Sequence, residues 1–136
     1  MAFTILLADD SAMARMFIKR CFEIAGAWDA EFLEAKDGEE ALELTGTHEV
    51  DLVVTDLNMP VMDGTAYVKT IHENPDIYQG PIVVITSLQN EAKQAELLNY
   101  GVHTVMSKPI SPASISELLE TIPGWQPPDD EESDLL

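Results

Sequence analysis

The chain has 136 residues, of which 46% are hydrophobic and 24% are charged, proportions typical of one globular domain. Its 25 acidic and 7 basic residues leave a formal charge of −18, which opposes binding to nucleic acid or to an anionic membrane. No apolar run reaches the roughly 18 residues of a membrane span, and the N-terminus lacks the pattern of a signal peptide. We therefore expect a cytoplasmic protein.

Short apolar runs alternate with amphipathic segments along the chain. The first run, residues 3–8, is apolar enough for a strand buried on both faces. After it, Met13, Met16, Phe17 and Cys21 recur at helical spacing, and Gly26 stands where such a helix usually stops. Strands are predicted at 3–8, 30–35, 51–56, 82–86 and 104–107, and helices at 12–25, 38–44, 65–73, 91–100 and 114–122.

This alternation predicts an α/β fold in which five parallel strands form one doubly wound sheet with helices on both faces. The domain is predicted to cover residues 1–123. Residues 124–136 are rich in proline and acid, and we expect disorder from about Trp125 onward. A single cysteine cannot form an internal disulfide, so Cys21 is interpreted as a core thiol.

Polar residues follow the predicted strands at their carboxyl ends. In an open parallel sheet these ends meet at one edge, where ligands bind near the point at which the strand order reverses. The polar residues at that edge are Asp9 and Asp10 after the first strand, Asp56 after the third, Thr86 and Ser87 after the fourth, and Lys108 after the fifth.

Three carboxylates in one crevice repel one another unless a cation lies between them. Oxygen ligands from Asp10 and Asp56, completed by water and a backbone carbonyl, suit Mg²⁺, and Mn²⁺ could substitute for it. Lys108 adds a positive charge and Thr86 a hydroxyl donor, so the crevice can hold an anion. These are the groups that phosphoryl transfer requires, with Asp56 as the nucleophile.

Five segments together resemble the response-regulator receiver domains of two-component signalling, most closely the free-standing chemotaxis type. The resemblance covers residues 3–122 and implies a flavodoxin-like fold. The segments are ILLADDSAMAR, EAKDGEEALEL, DLVVTDLNMPVMDG, IVVITS and GVHTVMSKPI.

The resemblance also implies a role for each matching residue. Asp56 would accept a phosphoryl group from a phosphohistidine on a histidine kinase or a phosphotransfer domain. The other implied roles are metal contacts from Asp10, Asp56 and the backbone carbonyl of Asn58, a metal contact through water from Asp9, pairing of Lys108 with the phosphoryl oxygens, a switch hydroxyl on Thr86, and an accessible amide at Ser87.

Two positions depart from the usual pattern of that family. Val105 stands where the family usually has the tyrosine or phenylalanine that swings inward on activation, so the loop after Thr86 or the side chain of Tyr100 would have to report the state. Leu88 stands where a polar residue often places the hydrolytic water, which suggests a hypothesis of slow dephosphorylation.

The output of such a switch would pass to a downstream protein, to a relay or to a phosphate sink, and a phosphatase is a possible further partner. The resemblance implies residues 91–122 as the contact face. One alternative is an interaction module that is never phosphorylated. The other is a Mg²⁺-dependent phosphatase, which would need a general acid where Asn58 stands. We expect no turnover of an external substrate.

Overall fold

The computed structural model describes residues 2–87 and 90–128. Within them, strands and helices alternate as the sequence predicts, and no helix is long and apolar enough to cross a membrane. The strands are β1 (Thr4–Ala8), β2 (Glu31–Ala35), β3 (Leu52–Thr55), β4 (Ile82–Thr86) and β5 (Thr104–Ser107). The helices are α1 (Ala12–Phe22), α2 (Gly38–Thr47), α3 (Gly64–Glu73), α4 (Glu91–Asn99) and α5 (Pro112–Leu119).

The five strands form one parallel sheet in the order β2-β1-β3-β4-β5. Successive side chains of a strand point to opposite faces, so each strand contributes to two cores. In β1, Ile5 and Leu7 join the core under α1 and α5, whereas Leu6 and Ala8 join the core under α2, α3 and α4. The predicted doubly wound sheet is therefore confirmed.

The predicted boundaries of β4 and β5 are confirmed, whereas those of α5 are wrong at both ends. This helix begins at Pro112 rather than at 114 and ends at Leu119 rather than at 122. Ser111 and Ser114 cap it reciprocally, the Ser111 hydroxyl accepting from the Ser114 amide and the Ser114 hydroxyl from the Ser111 amide. A proline at the first helical position is compatible with this start because its missing N–H would have had no partner there.

The apolar pattern of α1 is wider than the face that α1 buries. Ile18 and Cys21 lie in the core, so the interpretation of Cys21 as a core thiol is confirmed. Met13, Met16 and Phe17 belong to the same pattern but are exposed. Helical spacing alone therefore predicts the helix correctly without showing which of its apolar residues are covered.

The C-terminal end of the described chain packs against the end of α1. Beyond α1, a wider helical turn covers Glu23–Ala27. Gly26 lies within it and breaks the helical geometry, since its φ of 123° is accessible mainly to glycine. Trp125 is half-buried against the core beside this turn. Disorder from about Trp125 onward stays a prediction, although Trp125 itself packs against this apolar surface. The rest of the predicted tail, residues 129–136, lies outside the described residues, as does Leu88.

The strand order places the reversal point between β1 and β3. From β1 the chain moves outward to β2, and from β2 it returns across β1 to begin β3 on the other side. Crossovers that diverge in this way leave a crevice outside the carboxyl ends of the two strands. The residues that follow β1 and β3 are therefore the first candidates for a site.

Candidate functional site

Two aspartates lie side by side at this crevice. Asp9 follows β1 and is buried, and its Oδ1 accepts a hydrogen bond of 2.9 Å from the Ser11 amide. Asp56 follows β3, and its backbone amide donates to the Ala8 carbonyl at 2.9 Å, which joins the two strand ends. The Leu57 amide donates to Asp56 Oδ1 at 2.6 Å, which leaves Oδ2 as the outer oxygen.

Lys108 connects the two carboxylates from the loop after β5. Its Nζ lies 3.0 Å from Asp56 Oδ2 and 3.2 Å from Asp9 Oδ2. Burial alone would lower the pKa of Lys108, but the hydrogen bonds and negative charges of Asp56 and Asp9 outweigh it and raise the pKa above its usual value. The ammonium group therefore stays charged at neutral pH and offsets the repulsion between the two acids.

Asp10 and Asn58 are exposed next to this pair in the chain. Among residues 2–87 and 90–128, no three acidic, histidine or cysteine side chains are already arranged to hold a metal ion. The carboxylates of Asp9, Asp10 and Asp56 and the backbone carbonyl of Asn58 nevertheless offer oxygen donors, which Mg²⁺ prefers. The residues present thus fit a hard divalent cation, although their side chains are not grouped around one point.

Thr86 and Ser87 lie at the carboxyl end of β4. Thr86 is buried, whereas Ser87 is exposed. The Thr86 carbonyl accepts a hydrogen bond of 2.9 Å from the Lys108 amide, so the backbones of β4 and the β5–α5 loop are joined there. Thr86 also lines a cleft of about 380 Å³ between α4 and β5, together with Leu57 and Val105.

Tyr100 and Val105 lie on the α4 side of the sheet. Val105 is half-buried against the core shared by α2, α3 and α4. The Tyr100 hydroxyl is 3.5 Å from Glu96 Oε2, and its ring centroid is 5.7 Å from that of His72. The Tyr100 ring therefore lies between α3 and the C-terminal end of α4.

One positioning residue, Arg15, was missed at the sequence level. Its guanidinium donates to the backbone carbonyl of Asp9 and, at 2.7 Å, to Glu34 on β2. The side chain thereby ties α1 and the edge strand to the backbone of the crevice. The only sequence signal is a basic residue in the first turns of the helix after Asp9, which by itself is a common surface feature.

The β3–α3 loop is shaped by two close contacts that the motif did not reveal. Gly64 donates to the Leu57 carbonyl at 2.9 Å, and a Cβ at this position would overlap the Asp56 carbonyl oxygen. Val61 has a φ of 68° and lies between Pro60 and Met62, whose carbonyl and amide are bonded at 2.7 Å in a γ-turn. A β-branched residue in this conformation is strained.

Fold and site together define a flavodoxin-like α/β domain with an aspartate pair and a lysine at the switch point. The model of the response regulator receiver domain family matches residues 5–120. The chemotaxis protein CheY homolog of Campylobacter jejuni is 34% identical over 121 residues, covering 88% of this chain and 92% of that protein. The chemotaxis protein CheY1 of Helicobacter pylori is also 34% identical over 121 residues, covering 88% of this chain and 96% of that protein.

Among solved structures, the chemotaxis protein CheY4 of Vibrio cholerae is similar with a TM-score of 0.78 and 28% identity, covering 90% of this chain and 99% of that one. The chain belongs to the response regulator receiver domain family. This family acts in phosphorylation-based two-component signalling, and its members generally bind Mg²⁺ at the site of phosphorylation.

Proposed function

We propose that this chain is a chemotaxis-type phosphorylation switch in which Asp56 accepts a phosphoryl group from a phosphohistidine of a histidine kinase or phosphotransfer domain. The observation that carries the proposal is the Lys108 ammonium, which lies 3.0 Å from Asp56 Oδ2 at the switch point of the sheet. The chemotaxis names of the Campylobacter and Helicobacter relatives support the type of output.

The contacts of Asp56 suggest which oxygen reacts. Oδ1 is held by the Leu57 amide, so Oδ2 attacks phosphorus. The bond between phosphorus and the donor imidazole nitrogen breaks, and its electron pair leaves with the imidazole. Lys108 then pairs with the phosphoryl oxygens, since its ammonium already lies where their negative charge develops. Asp9 keeps Lys108 in place during this exchange.

A magnesium ion would be held by Asp10, Asp56 and the Asn58 backbone carbonyl, with Asp9 acting through water. Mn²⁺ would serve as a substitute because it accepts the same oxygen donors. When bound, the metal supplies positive charge to the phosphoryl oxygens. Asp10 and Asn58 are exposed and therefore accessible to a hydrated ion.

The signal is proposed to leave through the Thr86 side of the domain. Thr86 provides the switch hydroxyl, and the Ser87 amide contacts the phosphoryl group. The usual aromatic relay is unavailable because Val105 has no ring, so the backbone of the loop after Thr86 carries the change to a downstream protein. Tyr100, which follows α4 and contacts His72 and Glu96, is the aromatic side chain proposed to report the state.

The proposal is tested by incubating the protein with a small phosphodonor and Mg²⁺ and measuring the intact mass. We expect a gain of one phosphoryl group that disappears in Asp56→Asn and on chelation of the metal. Asp76→Asn, at an exposed aspartate before β4, is the matched control and should still gain the group. Absence of any adduct would favour the passive interaction module, and steady turnover without an adduct would favour the phosphatase.

A further inference from the structure

The loop between β3 and α3 is anchored at both of its ends. At the start, the Leu57 amide donates to Asp56 Oδ1 at 2.6 Å, and the Leu57 carbonyl accepts from the Gly64 amide at 2.9 Å. At the other end, the Asp63 carboxylate caps the first turn of α3. The backbone of residues 58–62 therefore has to span two fixed points.

Most residues of this span are themselves restrained. The Met59 side chain is buried in the core under α2, α3 and α4, and the ring of Pro60 fixes its own φ. The Met62 carbonyl accepts a hydrogen bond of 2.8 Å from the Gly38 amide at the start of α2. The two backbones approach so closely there that a Cβ on Gly38 would overlap the Met62 carbonyl oxygen. Val61 is left as the residue whose backbone absorbs the geometry of the span.

Val61 adopts a conformation that suits its side chain poorly. Its φ of 68° lies in the left-handed region, and the Met62 amide closes a γ-turn around it by donating to the Pro60 carbonyl at 2.7 Å. A β-branched residue enters this region only at an energetic cost, whereas glycine does so freely. The Val61 side chain is 77% exposed, so its packing does not offset the cost. Strain of this kind points to a role in function rather than in stability.

The same span carries the backbone carbonyl of Asn58, which is one of the proposed metal ligands. Asn58 is exposed and directly precedes the buried Met59. A backbone carbonyl cannot be turned by side-chain rotation, because the φ and ψ angles of the loop set its direction. Mg²⁺ demands nearly ideal octahedral geometry, so a poorly directed ligand weakens its binding. The conformation of the span therefore bears on the affinity for the metal.

We propose that Val61 is a positioning residue for the metal site, and that its strained γ-turn holds the span in the conformation in which the Asn58 carbonyl serves as a ligand. This role rests on the function proposed above. Glycine populates many more backbone conformations than valine, so a glycine at position 61 lets the metal-free loop spread over several of them. Metal binding then has to order the loop, and the loss of conformational entropy weakens it.

The proposal is tested in the full chain by measuring the dissociation constant of Mg²⁺ with isothermal titration calorimetry. We expect Val61→Gly to bind Mg²⁺ roughly three- to tenfold more weakly, since binding has to order one more flexible residue. The same variant should resist urea better than the unsubstituted chain, because the strain is relieved. A residue that only supports the fold would not change metal affinity and stability in opposite directions. Weaker Mg²⁺ binding together with lower stability in urea would overturn the proposal.

Two matched variants separate the backbone effect from other causes. Val61→Ala keeps a Cβ and its restriction of the backbone, so it should bind Mg²⁺ as tightly as the unsubstituted chain. Gly46→Ala, with no atom within 4 Å of the new Cβ, should raise the stability of α2 and leave Mg²⁺ affinity unchanged. Equal losses of affinity in Val61→Ala and Val61→Gly would overturn the proposal, because the valine side chain would then be responsible.

The order of the loop is measured separately, by ¹⁵N relaxation of the metal-free protein. The order parameters of the Asn58 and Met59 amides should be lower in Val61→Gly than in the unsubstituted chain, and unchanged in Val61→Ala. The amide of Ile115, which is buried in α5, is the internal control and should be the same in all three chains. Unchanged order parameters at Asn58 and Met59 in Val61→Gly would overturn the proposal, since glycine would not have loosened the span.

Asp10→Asn distinguishes failure of this proposal from failure of the proposed function. It removes a proposed carboxylate ligand and should weaken Mg²⁺ binding at least about tenfold, whereas Asp76→Asn removes an exposed charge elsewhere and should not. If Asp10→Asn binds Mg²⁺ as tightly as the unsubstituted chain, the proposed metal site is wrong and the role of Val61 falls with it. If Asp10→Asn binds weakly but Val61→Gly binds normally, the role of Val61 alone is overturned.

Discussion

The two halves of the carboxyl edge of the sheet are built differently. At β1 and β3, Asp9 and Asp56 are joined through Lys108, which reaches them from the loop after β5, by direct polar contacts of about the length of good hydrogen bonds. At β4 and β5, Val105 borders a cleft of about 380 Å³, and the polar contact of Tyr100 to Glu96 is stretched to 3.5 Å. The first half therefore holds its charged groups at close range, whereas the second leaves open space beside Thr86 and Val105.

The largest effect is expected from Lys108→Gln, which removes the charge that faces Asp56. We expect the rate of phosphorylation by a small phosphodonor to fall by roughly 10²-fold, since preorganised charge at the reacting group is lost. Lys36→Gln, which removes an exposed lysine paired with Glu40 at 4.0 Å, should leave the rate unchanged. Equal rates for the two variants would show that the Lys108 contacts do not matter for the chemistry.

Gly64→Ala should destabilise the β1–β3 half of the edge. The added Cβ would overlap the Asp56 carbonyl oxygen and lie 2.8 Å from Leu57 Cα, and both are backbone atoms that cannot move aside freely. We expect the free energy of unfolding in urea to fall by about 1–3 kcal/mol. Gly46→Ala in α2, with no atom within 4 Å of the new Cβ, should instead raise it by up to about 1 kcal/mol.

Val61→Gly should stabilise the same loop. Its side chain is 77% exposed, so its removal sacrifices little packing, and glycine adopts a φ of 68° without strain. We expect a gain of up to about 1 kcal/mol in urea unfolding, reduced by the greater flexibility of glycine in the unfolded chain. Val61→Ala keeps a Cβ and should show no comparable gain; if it did, the backbone conformation would not be the source of the effect.

The smallest effect is expected in the other half. Tyr100→Phe removes only the hydroxyl that lies 3.5 Å from Glu96, so the free energy of unfolding should change by less than about 0.5 kcal/mol. The rate of phosphorylation by a small donor should also stay the same. A loss comparable to that of Gly64→Ala would mean that the β4–β5 half is as tightly fixed as the β1–β3 half.

Prediction from sequence succeeded best where a local pattern carries the information. The limits of β4 and β5 follow from uninterrupted apolar runs between polar residues, and the doubly wound sheet follows from their alternation with helices. The predicted limits of α5 were wrong because the serines that cap this helix, Ser111 and Ser114, look like part of an ordinary polar loop in the sequence. The exposure of Met13 depends on whether another element covers that side of α1, and helical spacing carries no information about this.

The crevice also has features that a local sequence pattern predicts and features that depend on tertiary contacts. That Asp9, Asp56 and Lys108 share one edge was predictable, because parallel strands end together. The sequence could not predict that Lys108 bridges the two acids or that Arg15 bonds the backbone carbonyl of Asp9. Each of these contacts joins two elements whose distance from one another is set only when the chain folds. Sequence also gave no sign that Val61 is strained, since neighbouring contacts impose its φ.

The sequence by itself determined the α/β class, the order of the elements and the candidate phosphoacceptor Asp56, because these depend on periodicity and on residue types at strand ends. Only the tertiary structure decided that Lys108 links the two acids, that Trp125 packs beside Gly26, and that an apolar stripe on α1 is left uncovered by the described residues. Those features depend on which surfaces meet in space, and a linear pattern does not specify that.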